Sequence, residues 1–105
     1  MTVNDPGLLV VRSEPIDLEM EAEYHRWYAD HLRQLAAVPG VTRAQRFESV
    51  DGTPRFMALY ETESLDVFNS ADYLKVGRFG SLTKHVRFTR NVYRYMPPEG
   101  PLWRR

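Results

Sequence analysis

Two short stretches of this chain are apolar at consecutive positions, and they limit its fold more than any other feature. In Gly7–Ser13, Leu8 and Val10 share one parity and Leu9 and Val11 the other. In Arg55–Glu61, Phe56, Ala58 and Tyr60 alternate with Met57 and Leu59. Successive side chains of a strand point to opposite faces, so a strand that is apolar on both parities is covered on both. Breakers bound each run: Gly7 and Pro15 around the first, Asp51-Gly52 and Pro54 before the second. With 105 residues, the chain has room for one domain, 1–105, with a modest core. The two runs are predicted to be its central strands.

Between them lies a stretch with a different period, Glu19 to Val38. Asp17 is the expected N-cap, and Glu19, Glu21 and Glu23 suit the positive end of a helix dipole. Pro39-Gly40 stops the helix. On a helical wheel Met20, Tyr24, Trp27, Tyr28, Leu35 and Val38 all fall within about 60° of His31. The helix thus has one apolar stripe with a histidine in its middle.

Val41–Ser49 mixes apolar and charged residues, as an edge strand does. Ser64 is placed to cap a short helix carrying Leu65, Val67 and Phe68, and Ser70 a further turn with Tyr73 and Leu74. Gly77 and Gly80 interrupt the pattern, so Val76–Thr83 is read as a flexible loop. His85–Met96, rich in aromatic and β-branched residues, is the last strand, ended by Pro97-Pro98. Residues 1–6 read as a loose leader. Residues 97–105 form a tail whose Leu102-Trp103 needs a partner surface to be ordered.

The element order is βαββαβ. It predicts an α+β, ferredoxin-like fold: a four-stranded antiparallel sheet with two helices on one face, strands one and three central. The other face would then expose apolar side chains. A homodimer through that open face, forming a dimeric α/β barrel, is the expected cover.

Composition narrows the partners. Lys plus Arg (14) equals Asp plus Glu (14), which leaves no basic footprint for nucleic acid. There are no cysteines, which excludes disulfides and thiolate metal sites. Leu8–Val11 is far too short for a signal-peptide core or a membrane span, so a cytoplasmic protein is expected.

His31 is the first candidate for chemistry. Imidazole titrates near neutrality, and burial on an apolar stripe favours the neutral form that a general base needs. The structural alternative is a core histidine bonded to a backbone carbonyl. Trp27 and Tyr28, about one turn earlier, supply an aromatic wall and a phenol. Asp30 lies about 100° from His31 and reads as a surface carboxylate. His25 lies on the polar flank, reads as solvent-exposed and shares no face with His31, so no metal pair is expected. In the last strand His85, Arg87, Thr89, Asn91, Tyr93 and Tyr95 share one parity. That parity either lines a cavity or faces solvent, and Asn91 is its candidate donor to a substrate carbonyl or enolate. Tyr24, Tyr60 and Tyr73 are candidate pocket phenols or core fillers. Phe79, between Gly77 and Gly80, is a candidate lid or a packing residue, and His85 adjoins that loop.

The run Trp27-Tyr28-x-x-His31-Leu32, then Val38-Pro-Gly-Val41, Phe47 and Ala58-Leu-Tyr-Glu61, resembles the EthD-like branch of the dimeric α/β-barrel superfamily. The resemblance spans most of residues 8–96 and implies the same element order. It carries a histidine at the His31 position, which implies a functional role there. Its members include polyketide cyclases, anthrone-type decarboxylases and oxygenases, lactone isomerases and haem-degrading monooxygenases, many with no metal or organic cofactor. What this implies here is a cofactor-independent enzyme acting by proton transfer on a small aromatic, polyketide-like or lactone molecule. His31 would be its base, with Tyr28 and Asn91 steadying an enolate. Two other functions stay open: a cofactor-free or haem-dependent monooxygenase, and a non-catalytic ligand-binding or assembly module.

Overall fold

A computed structural model describes residues 5–76 and 79–97. The strands are β1 (Gly7–Pro15), β2 (Val41–Glu48), β3 (Phe56–Thr62) and β4 (Val86–Arg94), and the helices are α1 (Glu21–Ala36) and α2 (Ala71–Val76). Short 3-10 helices at Leu18–Met20, Leu65–Asn69 and Gly80–His85 flank them. The sheet is antiparallel in the order β2-β3-β1-β4, so the two doubly apolar strands are central. This is the ferredoxin-like architecture predicted from the element order.

Register assigns each strand residue to a face. Arg46, Ala58, Val11 and Arg90 form one row across the sheet, and Ala44, Tyr60, Leu9 and Val92 the next. These rows face the helices. The core lies here, built from Leu9, Val11, Phe56, Ala58 and Tyr60 below and Tyr24, Tyr28 and Leu35 of α1 above. Each such side chain contributes about 1.5–3 kcal/mol on burial. The opposite face carries Leu8, Val10, Met57, Leu59, Phe47, Asn91 and Tyr93. No helix covers it.

Several local expectations need correction. Asp17 makes no side-chain cap. Its carbonyl accepts from Met20 N–H in a 3-10 turn, and α1 itself starts at Glu21. Of the expected loop Val76–Thr83, Val76 ends α2 and Gly80, with a positive φ (63°), opens the 3-10 helix Gly80–His85; β4 starts only at Val86. The end of the leader is tied down. Asp5 and Pro6 carbonyls accept from Leu65 and Tyr95 N–H at 2.8 and 3.0 Å. Residues 1–4, Gly77, Arg78 and the tail from 98 onward lie outside the described residues. Gly40 ends the α1–β2 turn at φ 93°, where a Cβ would collide with Val67, so glycine is required. Among the described residues no helix is long and apolar enough to cross a membrane.

Candidate functional site

Helix α1 packs over β2, β3 and β1 and leaves most of the helix-side face of β4 bare; Phe88 is 41% and Val92 41% exposed there. The gap between α1, the sheet and the Leu65–Asn69, α2 and Gly80–His85 segments is a cavity of about 420 Å³. That volume suits a small molecule. Its interior is Leu9, Val11, Trp27, Tyr28, His31, Leu35, Tyr60, Phe68, Tyr73 and Phe79; Leu74, Thr83, Phe88 and Arg90 form an exposed rim.

His31 is 7% exposed and lies in this wall. Its ring stacks on Trp27, with centroids 4.2 Å apart, and Trp27 stacks in turn on Phe79 at 4.9 Å. Tyr28 and Tyr60 present edges to the His31 ring. Among the described residues no hydrogen bond holds the imidazole, so it lacks the backbone carbonyl partner of a structural core histidine. Burial pushes its pKa down to about 4, so at neutral pH it is uncharged.

Tyr60 is 2% exposed, and its hydroxyl has no partner among the described residues. An unmade bond of this kind costs about 1–3 kcal/mol. Burial raises its pKa, so it stays protonated and able to donate. Tyr28 lines the cavity with its ring, but its hydroxyl turns to Ser13 Oγ at 3.4 Å, beside the Tyr24 hydroxyl at 2.6 Å. Tyr24 is fully buried behind the wall and does not line the cavity. Tyr73 is in the wall, and its hydroxyl accepts from Arg90 Nη2 at 2.7 Å.

Asn91 is not part of this site. It pairs in register with Val10 on the open face, while its neighbour Arg90, opposite Val11, faces the cavity. His85 ends a 3-10 helix, its carbonyl bonded to Ile16 N–H, and it does not line the cavity. Asp30 is exposed and paired with Arg33 at 2.7 Å. His25 is half-buried, not solvent-exposed. Arg46 reaches it from β2 with Nη1 3.2 Å from Nδ1, and Arg46, having only donors, makes that nitrogen the acceptor. The Arg46 guanidinium rests 4.3 Å from the Tyr28 ring centre. Arg90, Thr83 and Phe88 were missed as site residues. The one signal for Arg90 is that it shares a parity with the apolar Val86, Phe88 and Val92, opposite the His85–Tyr95 set.

No family model matches the sequence, and no curated protein matches it. Solved structures do. SnoaB, a cofactor-independent oxygenase from Streptomyces nogalater, is 15% identical over 92% of this chain and 99% of its own, with a TM-score of 0.69. A dabb family protein with a ferredoxin-like fold from Mesorhizobium loti is 16% identical over 89% and 99%, at 0.67. A proposed monooxygenase from Shewanella loihica is 20% identical over 90% and 97%, at 0.61. At these identities the likeness establishes the fold, the same one that the Trp27–His31 resemblance implies.

Proposed function

We propose that this ferredoxin-like chain is an enzyme that moves a proton on a small, largely apolar aromatic molecule held under α1. The observation that carries this reading is His31: buried, uncharged, in the cavity wall and without a hydrogen bond among the described residues. Its lone pair is left for a ligand. A pKa of about 4 makes it a weak base by itself. The proton it takes, however, leaves an anion beside the new imidazolium, and in a low-dielectric pocket that attraction offsets much of the deficit. Tyr60, whose hydroxyl has no partner among the described residues, is the donor suited to the developing oxyanion, in place of Asn91. Trp27 and Phe79, stacked on each other, form the aromatic wall against which a flat ring would lie.

Cyclisation, decarboxylation and isomerisation all begin with such a step. So does reaction of the ligand anion with dioxygen, a second outcome favoured by the likeness to SnoaB, a cofactor-independent oxygenase. The test is solvent exchange. In deuterated buffer the protein is expected to accelerate loss of the C1 proton signal of 2-tetralone, a carbon acid activated by ring and carbonyl. Exchange no faster than in buffer alone would sink the enzymatic reading and leave a binding module.

We further propose that the open face meets a second copy across a two-fold axis. Val10, Met57 and Leu59 there are flanked by Phe47 and Tyr93, which are 44% and 47% exposed in the single chain. Sedimentation equilibrium is expected to give twice the chain mass, and Leu59→Arg to weaken association by roughly a hundredfold or more, through a buried unpaired charge. A monomeric parent protein at high micromolar concentration would rule the dimer out.

A further inference from the structure

The cavity wall is electrostatically lopsided. Of the described residues that line it, Arg90 alone carries a full charge at neutral pH, and no carboxylate is among them. Arg33, Arg43, Arg55, Arg87 and Arg94 each pair with an acidic side chain, whereas Arg90 bonds the Tyr73 hydroxyl instead. Its carboxylate-binding fork is therefore oriented but not neutralised. Tyr73 is 4% exposed and accepts from Arg90, so its own O–H proton remains available to a second acceptor. Two donors thus converge at the rim. Inward of them, among the described residues, lie Leu9, Val11, Leu35 and the aromatic walls, down to His31 and Tyr60.

We infer that the cavity takes a planar aromatic molecule bearing one anionic oxygen group, seated with that group on Arg90 and Tyr73 and its ring inward against Trp27 and Phe79. Carboxylate and phenolate share this chemistry. The inference rests on the proposed function for its choice of cavity, but binding reports on it without any turnover.

The probes are 2-naphthoate, neutral 2-naphthalenemethanol and cationic 2-naphthylmethylammonium, titrated calorimetrically against the full chain at neutral pH. The expected order is naphthoate tightest, by tenfold or more, and the cation weakest. Arg90→Gln is expected to weaken naphthoate by roughly ten- to hundredfold, the loss of a charge-assisted bond, and to leave the alcohol within about twofold. Arg90→Lys recovers part of the loss, and Tyr73→Phe shows a smaller one. Titrating 2-naphthol below and above its ionisation separates the two anion types: tighter binding only when ionised extends the site to phenolates, and no change restricts it to carboxylates. Equal affinity for anion and alcohol overturns the inference. So does a parallel loss of both in Arg90→Gln, or no measurable binding of any probe. Because 2-tetralone is neutral, its exchange tests the base separately. Exchange without anion preference rejects this inference alone, and anion preference without exchange rejects the proton-transfer reading alone.

Discussion

His31→Ala is expected to slow the exchange of 2-tetralone by about a hundred- to ten-thousandfold, the usual contribution of a positioned base. It should shift stability by no more than about 1 kcal/mol. The second expectation is as informative as the first. The imidazole makes no hydrogen bond among the described residues, so its removal breaks none. The space it leaves adjoins an existing cavity, so no new closed void forms. What is lost is the stack on Trp27. A catalytic histidine therefore gives lost exchange with an almost unmoved melting temperature. A drop of several kcal/mol with exchange or ligand binding intact would instead identify a structural residue and end the proposal.

The second large effect is the dependence of stability on pH. In the folded chain the His31 pKa is about 4, against an ordinary 6.5. As pH falls below the ordinary value, the unfolded chain takes up the proton first, so the unfolded state gains. Stability is full above pH 6.5 and declines until the folded pKa is reached, by about 3 kcal/mol in all. His31→Leu removes this component. Urea midpoints of the two proteins, compared at pH 7, 5.5 and 4.5, should therefore diverge, with the parent losing more. Carboxylates such as Glu21, whose pKa Arg55 holds down through a hydrogen bond, titrate alike in both and cancel in the difference. Parallel curves would mean that His31 is not buried uncharged in solution.

Much of this arrangement was legible in the sequence because it follows from local periodicity. Leu8–Val11 and Phe56–Tyr60 announce central strands by having no polar parity, and the α1 stripe announces a buried His31. What periodicity cannot supply is which parity of an edge strand faces the helices. β4 has polar residues on both, and only its register against β1 decides that Arg90 turns inward and Asn91 outward. The burial of His25 depends likewise on Arg46 arriving across the sheet. Gly80 was readable as a breaker, but the 3-10 turn it opens buries one apolar residue of its six, Leu82, too sparse a pattern to see.

The cavity joins parts of the fold that differ in how readily they open. Its deep end, or floor, lies where the sixteen-residue α1 is clamped on the central strands. Its rim is shared between β4, which carries Phe88 and Arg90, and the 3-10 turns and six-residue α2, elements too short to be stable by themselves. Local opening of such elements is far cheaper than global unfolding. If the cavity binds a ligand as proposed, its residence time is expected to follow the rim and thermal stability the floor, so the two properties are separable by mutation. Drift in the turns retunes how fast a ligand comes and goes while the histidine at the bottom stays where α1 holds it.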